Sequence, residues 1–335
     1  MRRLRVLLCG YGHLGLALLQ GMLECADACE VVGVFRWSSR PESASCWEPV
    51  EGMFQKLVRM SGIQDVQCQG VNTFEFTALL EALKPDVVMI GAWGEIVKVH
   101  LIERPNLVLV NCHPSLLPAH RGANPYASVI RERETETGVT FHRVTPKIDA
   151  GAILLQQAVP VGEHDTGASV RDRCTAVAYQ LVKEMVARLH SHVVQGQPLE
   201  ETAQDAALKS YHGQLKNEDG LIDWTESPEM IYRQYRALYP WIACYGHLEG
   251  KRKVLFFDPR FVQRPAELPP DTVAGMIVWF HQGTIRVALS DSEWLLEVSA
   301  YQIEYGRSVL PMWLGKILSP WLLRPGRRFL PPSAV

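Results

Sequence analysis

The feature that most restricts the fold stands at the start of the chain. A short apolar run, Leu4-Arg-Val-Leu-Leu-Cys9, leads into Gly10-Tyr-Gly12-His-Leu-Gly15 and then into the apolar segment Leu16–Leu23. The run reads as a buried strand, the glycines as a tight turn and the rest as a helix, with Glu30–Phe35 as a second strand. Strand, turn, helix and strand in that order form a βαβ unit, and such units build a parallel sheet with helices packed on its faces. The glycine spacing is also that of a dinucleotide-binding turn, where absent side chains let a phosphate approach a helix N-terminus. The second strand ends in Phe35-Arg36 rather than in an acid. A nucleotide bound there would therefore carry a 2′-phosphate, as NADP does. The other reading is the tight first turn of a wound sheet that binds no nucleotide.

At 335 residues the chain exceeds a usual single domain, and 47% apolar with 21% charged residues is enough to pack two cores. The net charge of −2 argues against a strongly basic nucleic-acid surface, although a local patch is compatible with it. The eight cysteines are scattered, with no Cys-x-x-Cys pair, which reads as free thiols in a reducing cytoplasm. Cys25 and Cys29 lie one helical turn apart and read as small buried apolar residues rather than as ligands. No apolar run is long enough for a signal peptide or a membrane span, so a cytoplasmic protein with no membrane contact is expected.

Two further segments carry polar groups in a pattern suited to chemistry. Asn106-Leu-Val-Leu-Val-Asn111 reads as a buried strand that ends in Asn111-Cys-His113-Pro-Ser115-Leu116-Leu117-Pro118 and continues through Arg121-Gly122 to Pro125. Asn111 and His113 are two apart, so in an extended segment their side chains project from one face. Open α/β sheets place their chemistry at the carboxyl ends of strands. The second segment, Gly138 to Gln156, supplies one acid, Asp149, on a turn closed by Gly151. Singly, each residue has a plainer reading: Asn111 as a turn residue, His113 as a core histidine, and Asp149 as the start of an Asx-turn.

Taken together, the Asn-x-His-Pro-Ser-Leu-Leu-Pro run, Arg121-Gly122 and Asp149-x-Gly151-x-Ile153 resemble the folate-dependent formyltransferases, of the methionyl-tRNA formyltransferase-like kind. The resemblance is strong over residues 80–160 and weaker beyond 210. It implies a Rossmann-like wound sheet followed by a small C-terminal β-barrel of OB type. It also implies 10-formyltetrahydrofolate as formyl donor and a primary amine as acceptor. Asn111, His113 and Asp149 then form the catalytic group. The amide and imidazole donate to the oxygen of a tetrahedral centre, and the carboxylate orients the imidazole and relays protons. The folate pocket would draw on Gly91, Ala92, Trp93, Gly94 and Ile96 after the Pro85–Ile90 strand. Ser115, Leu116, Leu117, Pro118, His142 and Gly151 complete it, although by itself His142 reads as structural. Arg121 would fix its loop or touch an anionic substrate. No His, Cys and Asp cluster has metal-ligand spacing, so no metal is expected.

The resemblance divides the chain into a catalytic domain over 1–195, a linker over 196–215, a barrel domain over 216–315 and a basic, Pro-rich tail over 316–335. Its acceptor stays open between charged initiator tRNA and a small amine such as an amino sugar or amino acid. Length and the barrel favour the tRNA. The loop over 37–49 favours the small amine, because tRNA-acting relatives are basic there and this chain sets Arg40 against Glu42 and Glu48. Arg324, Arg327 and Arg328, with Lys251-Arg252-Lys253, are the residues that could meet phosphates. An NADP-dependent reductase, read from the first glycine turn, and a non-catalytic RNA-binding module are the alternatives of other classes. No stable protein partner is expected.

Overall fold

The structure, a computed structural model, describes residues 2–36, 50–249, 252–268, 271–290, 293–305, 308–309 and 319–334. The loop over 37–49 lies outside the described residues, and with it the comparison of its charge. The chain separates into two compact units, Met1–Gln214 and Leu215–Val335.

In the first unit, strands and helices alternate as the apolar periodicity requires. β1 (Leu4–Gly10), α1 (Gly12–Leu23), β2 (Cys29–Phe35), α2 (Val50–Met60), β3 (Asp65–Val66) and α3 (Phe74–Leu83) are followed by β4 (Val87–Gly91), α4 (Val99–Ile102) and β5 (Val108–His113). Then come β6 (Arg121–Gly122), α5 (Pro125–Arg131), β7 (Glu136–Arg143), β8 (Ile153–Pro160), α6 (Gly167–Gln195) and β9 (Tyr211–His212). Seven strands form one sheet in the order β3-β2-β1-β4-β5-β7-β8. The first five are parallel; β7 and β8 return antiparallel. This is the wound, Rossmann-like sheet expected. One core layer gathers Leu7, Cys9, Phe35, Phe76, Val88 and Ile90 between the sheet and α3. α6 starts at a capping box in which Thr166 and Ser169 satisfy each other's backbone N–H groups.

In the first glycine turn the Gly12 N–H is already taken by an acid of the chain itself. The Gly12 N–H donates to the Glu51 carboxylate at 2.5 Å, and Arg36 pairs with Asp65 at 2.7 Å and faces Glu51 at 3.6 Å. A carboxylate from α2 thus holds the place an anionic ligand would take, which favours the turn that binds no nucleotide.

The segment after α6 is pinned to the first unit's fold at two places. Thr202 bridges Ile153 with paired backbone bonds of 2.8 Å, and β9 pairs in parallel with β6.

In the second unit, α7 (Pro228–Leu238) is capped by Ser227 and followed by β10 (Cys244–Leu248), β11 (Arg252–Phe256), β12 (Pro259–Gln263), β13 (Ile277–His281) and β14 (Thr284–Ala288). β15 (Trp294–Val298), β16 (Tyr301–Tyr305) and β17 (Ser308–Val309) complete it. These strands make two antiparallel sheets, β10-β11-β16-β17 and β12-β15-β14-β13, which share one core. Trp224 and Phe329 stack at its centre with ring centroids 5.1 Å apart, and Phe256 meets Phe329 edge-on at 5.5 Å. The chain's end is therefore built into this core. Two of the arginines read as phosphate-binding candidates are spent on backbone: Arg327 donates to Glu249 O at 3.0 Å and Arg328 to Ala274 O at 3.1 Å. Lys253 lies over the Tyr245 ring at 4.1 Å and 3.7 Å from Glu304. Among the described residues no helix is long and apolar enough to cross a membrane.

Candidate active site

β5 ends at the carboxyl edge of the sheet with Asn111 and His113 on one face, between β4 and β7. The antiparallel register sets His142 of β7 directly opposite Asn111 and Thr140 opposite His113. Cross-strand partners stand close enough for side chains to meet. Here the Asn111 amide nitrogen lies 3.1 Å from His142 Nε2.

Asp149 enters from the loop between β7 and β8, in the left-handed region at φ 48. The close approach of Gly151 to the strand explains the tight turn. A Cβ on Gly151 would lie 1.8 Å from Arg143 O, so a side chain there has no room. The carboxylate reaches four groups. Asn111 Nδ2 donates to Oδ1 at 3.2 Å and the Gly122 N–H donates to Oδ2 at 2.9 Å, while His113 Nδ1 lies 3.6 Å from Oδ2. His142 Nε2 is 3.5 Å from Oδ1. The structure thus brings Asn111, His113 and Asp149 together and adds His142 to them.

The other ring nitrogens fix the tautomers. His113 Nε2 donates to His120 O at 2.9 Å, and His142 Nδ1 donates to Arg143 O at 2.8 Å. In the neutral rings, His113 Nδ1 and His142 Nε2 are therefore lone pairs. His142 accepts from Asn111, so both amide hydrogens of Asn111 are engaged, one on an imidazole and one on a carboxylate. His113 turns its lone pair toward Asp149, leaving a place for one proton between two basic atoms.

Burial acts to raise the Asp149 carboxyl, but His113, His142 and the Gly122 N–H outweigh it and hold the acid well below the usual carboxylate range. Burial pushes the His113 imidazole below its ordinary value, against the opposing pull of Asp149. The pair titrates as a unit. Near neutral pH it is a carboxylate beside a neutral imidazole.

Gln204 supports this turn from far along the chain, and no local signal marks it. Its amide donates to Asp149 O at 2.8 Å and Gly151 O at 2.7 Å, and its Oε1 accepts from Arg121 Nε at 3.1 Å and Nη2 at 2.6 Å. Arg121 thus fixes its loop rather than reaching for an anion. The segment following His113 is held as firmly. Ser115 is fully buried and donates to Ala119 O at 2.7 Å, while Thr140 donates to Ser115 O at 2.6 Å. Gln156 donates to Leu117 O at 3.0 Å, next to the cis Leu117–Pro118 peptide. Leu116 packs over Gly138.

The residues after β4 are more open. Gly91 is buried against Leu18, Ala92 takes a left-handed φ of 57, and Trp93 is half-buried against the Phe35 ring at 4.9 Å. Gly94 and Ile96 are exposed.

Comparison with protein families matches "Formyl transferase" to residues 3–186 and "Formyl transferase, C-terminal domain" to residues 214–310. The methionyl-tRNA formyltransferase of Geobacter metallireducens is 30% identical over 260 residues, 77% of this chain and 82% of that protein. The one from Citrifermentans bemidjiense is 29% identical over 326 residues, 97% of this chain and 96% of that protein. Among solved structures, HypX from Aquifex aeolicus in complex with tetrahydrofolic acid aligns with a TM-score of 0.64 at 15% identity over 97% of this chain. The chain spans about half of HypX, 48% of its length. WlaRD, a sugar 3N-formyl transferase, aligns at a TM-score of 0.58 and 15% identity over 89% of this chain and 98% of its own. At such identities the two structures speak for the fold alone. The first family match covers more than half of the residues and the second most of the remainder, so this chain belongs to the formyl transferase family.

Proposed function

We propose that this formyltransferase moves the formyl group of 10-formyltetrahydrofolate to the methionyl amine of a charged tRNA, with Asn111, His113 and Asp149 at the reacting carbon. The observation that carries the chemistry is the meeting of an amide, an imidazole lone pair and an ionised carboxylate at one strand end. Full-length similarity to methionyl-tRNA formyltransferases supports the acceptor.

The amine nitrogen attacks the formyl carbon and the carbonyl electron pair moves onto oxygen. Asn111 turns one amide hydrogen to that oxygen, exchanging its 3.2 Å bond to Asp149 for a stronger one to a developing charge. One such donor in a dry site is worth roughly 3 kcal/mol in the transition state. The amine proton passes to His113 Nδ1, and Asp149 stabilises the imidazolium so formed. The same proton then goes to the folate nitrogen as its bond to carbon breaks and the carbonyl re-forms, so one proton leaves the amine and one reaches the leaving nitrogen. His142 holds Asn111 in register. The loop of Gly91, Ala92, Trp93, Gly94 and Ile96 and the Leu116-Leu117-Pro118 segment would flank the pterin, while Ser115 and Gly151 act through backbone geometry. The barrel-type second domain, the 196–215 connector and the chain's end belong to acceptor handling in this reading.

A small amine, such as an amino sugar, is the second reading; the acidic balance of the 37–49 loop favours it. Incubating the enzyme and folate donor with methionyl-tRNA, and separately with amino sugars and amino acids, distinguishes the two by mass spectrometry. Formyl-methionyl-tRNA is expected. Formylation of small amines alone moves the assignment to the second reading, and no tetrahydrofolate release with any acceptor ends both.

A further inference from the structure

A second polar cluster lies behind the site and plays no part in the transfer chemistry. His120 is 2% exposed, and its carbonyl is the acceptor for His113. Its Nε2 lies 2.7 Å from the Glu134 carboxylate, which can only accept, so this nitrogen carries the ring proton. His120 Nδ1 is then a lone pair, and it is buried with no hydrogen-bond partner. The His212 ring of β9 stacks on His120, with centroids 5.1 Å apart and planes 25° apart. His212 Nε2 is likewise buried without a hydrogen bond, although it stands 3.0 Å from Glu132 Oε1. One donor atom from each of His120, Glu132 and His212 lies within 4.8 Å of the other two.

An ion pair between His212 and Glu132 would leave His120 Nδ1 stranded, and a buried unpaired acceptor costs about 1–3 kcal/mol. A cation satisfies all three groups at once. We propose that His120, Glu132 and His212 bind one divalent transition-metal ion of the zinc class, with the fourth position open to water. Two imidazoles and a carboxylate suit zinc rather than the all-oxygen preference of calcium or magnesium. Tetrahedral ligands at about 2.0–2.1 Å from an ion stand roughly 3.3–3.4 Å apart, so the donors would close by up to about 1.4 Å and the two stacked rings would turn toward one point. Glu134 already holds the His120 ring as an outer carboxylate holds a metal-bound histidine. Glu132, on the exposed side, gives the ion its way in.

The ion would clamp β9 to the end of α5 and to the residue before β6. Gly122 of β6 donates to Asp149, so the clamp would stiffen the loop facing the carboxylate. Metal binding at this cluster depends neither on the acceptor nor on the transfer mechanism. The three ligands come from positions 120, 132 and 212, too scattered for sequence spacing to reveal.

The test is calorimetric titration of chelator-stripped, full-length protein with Zn²⁺, with Co²⁺ absorption as a report on coordination. One saturable equivalent, a cobalt spectrum of four-coordinate type and an upward shift in melting temperature are expected. His212→Ala and Glu132→Ala, both on the accessible side, should remove that equivalent while the protein stays folded by circular dichroism. Glu134→Gln keeps all three ligands and should weaken binding about 10- to 100-fold. Absence of uptake by the wild-type protein overturns the proposal. So does unchanged affinity in His212→Ala and Glu132→Ala, which would mark an adventitious ion only.

Discussion

The backbone N–H of Gly122 donates to the Asp149 carboxylate at 2.9 Å, joining the loop that leaves His113 to the turn that carries the acid. With the Asn111 amide on the other oxygen, the carboxylate is held by a strand, a loop and a turn at once. Its ionisation and its aim are thus set by the fold before any substrate arrives.

The low value of the Asp149 carboxyl makes a statement about stability. A group held below its ordinary 3.8 contributes stability that is complete above that value and lost as pH falls through the folded value. The stability difference between wild type and Asp149→Asn, measured by urea unfolding, should be constant above about pH 6.5, grow as His113 gains its proton beside the carboxylate, and shrink below about pH 4 as the acid itself is protonated. A difference that keeps growing below about pH 4 would reverse the assignment.

His113 moves in the same sense for another reason. Burial lowers it from 6.5, so its contribution is complete above 6.5 and declines as pH falls through the lower folded value. Its ring resonances should titrate below pH 6.5 by NMR. In Asp149→Asn the supporting carboxylate is gone, and the midpoint should fall further.

Gln204→Ala removes two donors to the acid-bearing turn and the acceptor for Arg121. A loss of about 1–3 kcal/mol is expected from denaturant unfolding. The rate should fall as well, because Asp149 is no longer aimed. Gln204→Glu keeps the Arg121 partner but not the donors, so it should restore stability in part and activity less.

Much of the site is readable in the sequence, up to a physical boundary. Asn111, His113 and Asp149 sit on two short segments whose local grammar is explicit: strand end, prolines, and an acid before a glycine. α1 and β2 follow their apolar pattern, with the ends at Leu23 and Phe35 as expected. His142 read alone is a core histidine; only the register of β5 against β7, which alternation cannot fix, brings it to Asn111. Gln204 lies 55 residues from Asp149 in what reads as a polar connector. Arg327 and Arg328 look like phosphate ligands because sequence shows charge but not the carbonyls that the guanidinium groups meet.

The chain's end offers an independent check on the second unit. Phe329 is fully buried on Trp224 and Phe256, so Phe329→Ala should cost about 3–5 kcal/mol in that unit. Tryptophan fluorescence during urea unfolding reads it. A change under 1 kcal/mol would mean that the tail is not part of the core.

If the amide, imidazole and carboxylate act as one device, single-turnover release of tetrahydrofolate measures that directly. Asp149→Asn and Asn111→Ala should each slow it by about two or more powers of ten. The double variant should be little slower than the worse single one, since groups acting as a unit are far from additive. Losses that multiply in the double variant, or an Asp149→Asn rate near that of wild type, would contradict it.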